Sequence, residues 1–269
     1  MLRARLATAA VAIPLLLLVI LAPVSWPLAT LVFAAGVVGL TEIAVICFAS
    51  RRSEQVLTVA LGSLVLLGAM PGPGVWLAAA LSTAVAAGLT WVLAARGDFE
   101  AGLRDLGLAV LGALYVALLL PHFVWLHRIP EQGAYWVIFV LAIGMVGDTA
   151  GYFVGRAWGR HQLAPRVSPK KSVEGAVAIF LASVATGYVC HLVLLRSVPV
   201  EHVLVLAAAM GIVGQIGDLC ESLFKRAFGV KDSGWISPGH GGVLDRIDSL
   251  LFPAIVVYYY VILVLGASP

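Results

Sequence analysis

Long apolar segments recur along the whole chain and constrain its fold more than any other feature. A helix that crosses the roughly 30 Å hydrocarbon core of a bilayer needs about 20 mostly apolar residues, because each residue rises about 1.5 Å. The pattern predicts an all-α polytopic integral membrane protein with about nine transmembrane helices. The predicted spans are approximately 5–23, 28–49, 56–71, 74–95, 105–126, 134–155, 174–195, 200–224 and 249–266.

The composition agrees with a membrane location. Of the 269 residues, 61% are hydrophobic and 12% are charged, whereas soluble domains are roughly half apolar and a quarter charged. The net charge of +3 does not indicate a nucleic-acid partner, because the placement of Lys and Arg says more than their total in such proteins. The cysteines Cys47, Cys190 and Cys220 lack the spacing of a disulfide framework or a zinc site, so we expect them to be packing residues.

The positions of the basic residues predict the orientation. If the N-terminus is cytoplasmic and nine helices alternate, Arg128 and Arg196 lie outside and the other 15 of the 17 Lys and Arg residues lie inside. This is the positive-inside distribution. The segment 5–23 is followed by Trp26-Pro27 rather than a small-residue cleavage site, so we expect a retained helix and not a secretory signal.

Polar residues divide the chain into two regions. Residues 1–133 are predicted to form N-terminal transmembrane helices with few ionisable groups apart from Glu42. Residues 134–269 form a C-terminal transmembrane region with two polar loops, 156–173 and 225–248, both on the predicted cytoplasmic side. We therefore expect the chemistry in the second region.

The segment from Ser222 to Asp248 concentrates charge and glycine in a chain that otherwise avoids charge. Asp245 and Asp248 are three residues apart and share a helical face if a helix begins near Gly242. On the preceding helix Asp218, Ser222 and Lys225 are spaced by four and three. A solvated loop with a positive-inside bias explains the lysines but not the two aspartates. We expect two helices to present Asp218, Asp245 and Asp248 to one site.

These residue types suit a metal ion and phosphate groups. Carboxylates without Cys favour Mg²⁺ or Mn²⁺, and a second cation is left open. The backbone N–H groups of Gly241 and Gly242 precede a predicted helix, where an anion is well placed. The glycines Gly211, Gly214 and Gly217 are expected to allow close helix packing.

The same segment resembles the signature of the phosphatidate cytidylyltransferase (CDP-diacylglycerol synthase) family, S-x-x-K-R-x4-K-D-x-G-x3-P-G-H-G-G-x-x-D-R-x-D, and every fixed residue is present. A second stretch, Gly147 to Arg156, is similar to the family element D-x-x-A-Y-F-x-G, with one extra residue before Tyr152. Ser168 to Gly175 is similar to S-P-K-K-T-W-E-G, with Ser172 and Val173 at the Thr and Trp positions.

The resemblance implies an enzyme that joins CTP to phosphatidic acid in a bacterial-type cytoplasmic membrane, with its active site facing the cytoplasm and with Mg²⁺ held by Asp218, Asp245 and Asp248. A homodimer is left open. The implied catalytic residues are Asp218, Asp245, Asp248, Lys225, Arg226 and His240. The implied substrate-binding residues are Asp148, Ser168, Lys170, Lys171, Ser222, Lys231, Asp232, Gly241, Gly242 and Arg246.

Several alternatives remain at this stage. Lys170 and Lys171 follow a Ser-Pro pair, expected to turn, and either hold phosphate groups or anchor anionic lipid. Asp148 either faces a polar cavity or pairs with Arg156. Glu42 is either structural or the glutamate that the family often has in an early helix. Rival functions are a CTP-dependent lipid-alcohol kinase and an ion-coupled transporter, although a transporter needs polar residues through the full membrane depth.

Overall fold

The computed structural model describes residues 12–231, 233–234 and 242–267. Nearly all of this part is helical. The helices are α1, described over 12–20, α2 (Trp26–Cys47), α3 (Arg52–Ala69), α4 (Val75–Ala95), α5 (Phe99–Ala117), α6 (His122–His127), α7 (Gly133–Trp158), α8 (Val173–Val193), α9 (Val200–Ala227) and α10 (Leu244–Leu263). An antiparallel hairpin of β1 (Gln162–Ala164) and β2 (Ser168–Ser172) lies between α7 and α8.

Seven helical segments in the described part are long and apolar enough to span a membrane. The prediction of a helical polytopic membrane protein is therefore confirmed at this coarser level, while the count of nine and the orientation stay predictions. Of the other two predicted spans, 5–23 extends outside the described residues, and 56–71 corresponds to α3, whose first turn is polar. The seven segments are Trp26–Cys47, Val75–Ala95, Phe99–His127, Gly133–Trp158, Val173–Val193, Val200–Ala227 and Leu244–Leu263.

The hairpin corrects the all-α expectation. It occupies the polar loop 156–173, where Gln162 pairs with Ser172 and Ala164 pairs with Ser168. The Ser168-Pro169 pair therefore begins strand β2 and does not form the expected turn. Because a polar segment between two helices must pair its own backbone groups or leave them to water, the hairpin gives this loop a defined shape.

Contacts between loops define the two ends of the helical bundle. At one end Arg51, after α2, binds Asp105 of α5 at 2.6 Å, and Arg96, after α4, pairs with Glu54 of α3. At the other end His127 contacts the carbonyl oxygen of Ile20 at 2.7 Å. Successive helices thus run alternately between the two ends. The loops after α7 and α9 lie at the first end, which we call the site end.

Glycines let α9 approach its neighbours closely, as the sequence predicted. A Cβ added to Gly217 would lie 2.5 Å from the carbonyl oxygen of Asp248, and one added to Gly214 would lie 2.9 Å from that of Ser249. Gly211 packs in the same way against Ser183 of α8. The close approach of α9 and α10 brings the backbone carrying Asp218 next to the first turns of α10.

Candidate active site

A cavity of about 640 Å³ opens at the site end between α7, the hairpin, α8 and α9. Its wall combines acidic, basic and small residues. Asp148 lies ten residues before the end of α7, so the cavity reaches about 15 Å along that helix. The residues that line it are Asp148, Gly151, Tyr152, Gly155, Arg156, Leu163, Lys170, Lys171, Ser172, Gly175, Ala176, Ile179, Gln215 and Asp218.

Three aspartates come from three helices: Asp148 of α7 and Asp218 of α9 line this cavity, and Asp248 of α10 is buried beside it, and we call them the cavity carboxylates. Asp148 accepts a hydrogen bond from the Ser249 hydroxyl at 3.0 Å, and Asp248 accepts one from the Ser249 backbone N–H at 2.6 Å. Like charges brought together in this way favour the binding of a cation.

Lys171 joins the cavity carboxylates from the hairpin. Its Nζ lies 2.5 Å from Oδ2 of Asp218, and both side chains are largely shielded from solvent. The Ser222 hydroxyl donates to the other Asp218 oxygen at 3.5 Å. A lysine from one polar loop and a carboxylate from a transmembrane helix therefore meet in one place, although 47 positions separate them in the sequence.

Asp245 belongs to a different group. Its Oδ1 accepts from Lys225 Nζ at 2.6 Å, and its Oδ2 accepts from the backbone N–H of Ser233 at 3.0 Å, the Ser233 hydroxyl at 2.9 Å and the N–H of Gly242 at 2.9 Å. Four donors thus occupy the carboxylate that the sequence assigned to the metal. Asp245 and Asp248 both lie in the first turns of α10, but their side chains have different hydrogen-bond partners.

Glu42 of α2 completes the second group. Its Oε1 accepts from the N–H of Val243 and its Oε2 from the N–H of Leu244, both at 2.8 Å. These N–H groups stand at the start of α10, where a helix has no internal acceptors for its first donors. We call Glu42 and Asp245 the loop-anchoring carboxylates, since both accept from the Ser233 hydroxyl and from backbone N–H groups of residues 242–244.

The remaining predicted residues have varied contacts. Arg226 donates to the carbonyl oxygens of Val167 at 3.1 Å and Val230 at 3.3 Å, so it links the hairpin to the loop after α9. Ser168 and Lys170 lie on β2, Lys170 exposed. Lys231 and Arg246 are exposed at the site end. The predicted residues Asp232, His240 and Gly241 lie outside the described residues.

The alternative partner for Asp148 is not observed, because Arg156 instead donates to the Tyr152 hydroxyl at 2.8 Å. The site residues predicted from the sequence do not include two acidic residues that make polar contacts here. Glu221 is fully buried and pairs with Lys225, and Glu174 accepts hydrogen bonds from the backbone of Arg160 and His161. The spacing of four between Glu221 and Lys225 on an apolar helix was a usable signal for the first.

The fit of a metal ion depends on the cavity carboxylates. Among the residues the structure describes, no three His, Cys, Asp or Glu side chains form a ready-made metal-binding group. Mg²⁺ commonly uses one or two carboxylates and completes its shell with water and substrate phosphates. Asp218 and Asp248, which lie on the closely packed helices α9 and α10, are hard oxygen donors of this kind. The residues present therefore fit Mg²⁺ held jointly with a phosphate-bearing substrate.

The fold and this cavity define a polytopic helical membrane protein with an acidic, lysine-containing site at one end of its bundle. The chain belongs to the cytidylyltransferase family, whose model matches residues 3–264.

Several curated relatives of this chain carry the name phosphatidate cytidylyltransferase. The chain is 32% identical to the phosphatidate cytidylyltransferase of Bacillus subtilis over 171 residues, 64% of this chain and 63% of that protein. It is 35% identical to that of Staphylococcus saprophyticus over 61% of each chain, and 43% identical to that of Thermotoga maritima over 54% of this chain and 55% of the relative. The chain thus covers less than two thirds of the length of these relatives.

Proposed function

We propose that this chain is a phosphatidate cytidylyltransferase, which converts CTP and phosphatidate into CDP-diacylglycerol and pyrophosphate. The observation that carries the proposal is the ion pair of Lys171 with Asp218 inside the cavity. It joins a lysine suited to phosphate and a carboxylate suited to Mg²⁺ at the end of a membrane bundle. The family membership and the names of the curated relatives support the same reaction.

The reaction needs little covalent chemistry from the protein. A phosphate oxygen of phosphatidate attacks the α-phosphorus of CTP, and the bond from that phosphorus to the bridging oxygen of the β-phosphate breaks to release pyrophosphate. Asp218 and Asp248 would hold Mg²⁺, which supplies neutralisation of the charge that develops on the departing pyrophosphate. Lys170 and Lys171 bind phosphate oxygens as point charges. Positioning and electrostatic stabilisation are the main contributions of the chain.

The predicted third ligand, Asp245, has a second role open to it. It accepts four hydrogen bonds from Lys225, Ser233 and Gly242, and it thereby orients these residues around the start of α10. Coordination by Asp245 would require its Oδ1 to exchange Lys225 for the metal. We therefore propose Asp218 and Asp248 as the principal metal ligands and Asp245 as the residue that shapes the loop beside them.

The topology proposed is nine transmembrane helices with a cytoplasmic N-terminus. It is supported by α3, which runs from the ion pairs of Glu54 at the site end to the opposite end, where Arg128 donates to the carbonyl oxygen of Met70 at 2.5 Å. With α3 counted, the proposed topology puts fifteen basic residues on the same side of the membrane as the site end. They are Arg3, Arg5, Arg51, Arg52, Arg96, Arg104, Arg156, Arg160, Arg166, Lys170, Lys171, Lys225, Arg226, Lys231 and Arg246. This excess supports the proposal that the site end faces the cytoplasm, where CTP is available, in a bacterial-type inner membrane.

Single-cysteine labelling tests the orientation. Arg166→Cys, in the exposed hairpin turn, and Arg196→Cys, between α8 and α9, are made with Cys47, Cys190 and Cys220 replaced by Ala. A membrane-impermeant maleimide added to intact cells should label Arg196→Cys only. Labelling of Arg166→Cys without cell lysis would reverse the proposed topology.

The direct test of function uses purified protein in mixed micelles with CTP, phosphatidate and Mg²⁺. We expect CDP-diacylglycerol and pyrophosphate in equal amounts, and no product after metal removal with EDTA. A lipid-alcohol kinase would instead release CDP and phosphorylate an added polyprenol or phytol. Release of CDP without pyrophosphate would contradict the proposal. The predicted homodimer and the identity of a second cation stay predictions.

A further inference from the structure

We propose that Glu42, far from the signature segment in sequence, is a positioning residue for the active site, because its carboxylate binds the start of α10 and the Ser233 hydroxyl. This inference rests on the proposed function and adds to it a residue from the N-terminal half of the chain. Glu42 is 5% exposed and lies on α2, about 200 positions before the residues that it binds.

Within the described residues, the carboxylate of Glu42 accepts hydrogen bonds from three groups. Oε1 accepts from Val243 N–H and Oε2 from Leu244 N–H at 2.8 Å, and the Ser233 hydroxyl lies 3.4 Å from Oε2. The N-cap position of α10 is Val243, which has no side-chain acceptor of its own. A carboxylate from another helix therefore supplies the cap that the local sequence lacks, and its charge is favoured at the positive end of the helix dipole.

Gly234 and Gly242 leave the space that this carboxylate occupies. A Cβ on Gly234 would lie 2.7 Å from Oε1 of Glu42, and one on Gly242 would lie 2.6 Å from the same oxygen. Two glycines of the signature segment are thus required by the close approach of Glu42 to the backbone. This requirement gives a reason for their presence that does not involve a phosphate group.

Glu42 and Asp245 act on the same short loop. Ser233 Oγ lies 2.9 Å from Oδ2 of Asp245 and 3.4 Å from Oε2 of Glu42, so two carboxylates meet at one hydroxyl. Lys225 on Asp245 and the backbone N–H groups offset their repulsion. Asp245 binds the N–H of Gly242 and Glu42 binds the next two, so the two side chains together fix three successive backbone groups ahead of Asp248.

A glutamine at position 42 tests the role of the carboxylate with little change in size. Its amide offers one oxygen and one NH₂ group, and the NH₂ would face the N–H of Val243 or Leu244. We expect Glu42→Gln to loosen the start of α10 while the rest of the bundle stays folded. Gly234→Ala is the second variant, because it displaces the same carboxylate without removing its charge.

The matched control is Glu54→Gln. Glu54 is another buried glutamate of the N-terminal half, 2% exposed, but its partners in the described part of the chain are Arg51, Ser53 and Arg96. Each variant is measured in two ways: amide hydrogen exchange of residues 242–244 in detergent without substrate, and kcat and KM for CTP and phosphatidate.

We expect Glu42→Gln and Gly234→Ala to exchange these amides about tenfold faster than the unaltered chain, and Glu54→Gln to match it. The kcat of the first two should fall about tenfold or more with KM within about twofold, because substrate-binding side chains remain. Unchanged amide exchange in Glu42→Gln, or a kcat equal to that of Glu54→Gln, overturns the inference. If Glu42→Gln does not fold, the same two measurements on Gly234→Ala decide whether the inference holds. An unaltered chain that makes no CDP-diacylglycerol refutes the proposed function instead.

Discussion

At the site end the N-terminal helices pair two arginines with two acids, whereas the C-terminal helices bring three aspartates together. In the first region Arg51 binds Asp105 through both of its terminal nitrogens, at 2.6 and 2.9 Å, and Arg96 pairs with Glu54. The charges balance. In the second region the three cavity carboxylates are grouped together, Ser249 hydrogen-bonds both Asp148 and Asp248, and Lys171 pairs with Asp218. The comparison teaches that buried charge alone does not mark a site. Carboxylates grouped beside a cavity, and not each paired with an arginine, do.

The largest expected effect is that of Asp248→Asn. The change removes a negative charge from the cavity at nearly constant size, and we expect kcat to fall about 10³-fold, the order reported for losing one charge-stabilising group. Initial rates over a wide range of Mg²⁺ are the measurement, and the half-saturating Mg²⁺ concentration should rise. Near-normal turnover at limiting Mg²⁺ would remove Asp248 from the metal site and break the comparison.

Asp245→Asn should have a smaller effect of a different kind. It weakens the pairing with Lys225 and the anchoring of the loop, so we expect kcat to fall about 10²-fold while the half-saturating Mg²⁺ concentration stays within about twofold. The Mg²⁺ titration of Asp248→Asn is the reference. If both variants shift the Mg²⁺ requirement equally, Asp245 is a ligand as its spacing in the sequence predicted.

The neighbouring lysines sharpen the comparison further. Lys170→Ala removes an exposed lysine, so we expect about a tenfold rise in KM for CTP or phosphatidate with kcat little changed. Lys171→Ala removes the partner of Asp218 and should lower kcat as well. Full saturation curves for both substrates separate the two parameters. Equal effects of the two substitutions would show that the Lys171 ion pair has no part in the reaction.

The smallest effect on activity is expected for Glu54→Gln. Arg96 is partly exposed and keeps Asp105 at 3.6 Å, so the loss should be smaller than the roughly 3–5 kcal/mol of a fully buried pair. The thermal midpoint should fall by a few degrees while kcat at low temperature stays within about twofold. Thermal unfolding in detergent and an assay at 20 °C or below check this. A large loss of kcat in a folded protein would mean that the balanced network also serves the site.

Much of the architecture was predictable because apolar segments of about 20 residues leave few alternatives in a bilayer. Seven predicted spans match single helices with similar bounds, namely α2, α3, α4, α7, α8, α9 and α10. The predicted span 105–126 differs, because α5 ends at Ala117 and α6 begins after Pro121. The hairpin was missed, since a short polar loop shows no strand periodicity of useful length. The polarity of the first turn of α3 made its assignment the least determined by sequence.

The sequence by itself determined the membrane class, the close packing at Gly214 and Gly217, and the segment that carries the chemistry, because these depend on residue type and on spacing within one helix. Only the tertiary structure decided which side chains meet. It separated Asp245 from Asp248, paired Lys171 with Asp218 and brought Glu42 to the start of α10. These contacts depend on how the helices pack and on the path of the loops between them. They join residues up to 202 positions apart, so no local pattern in the sequence predicts them.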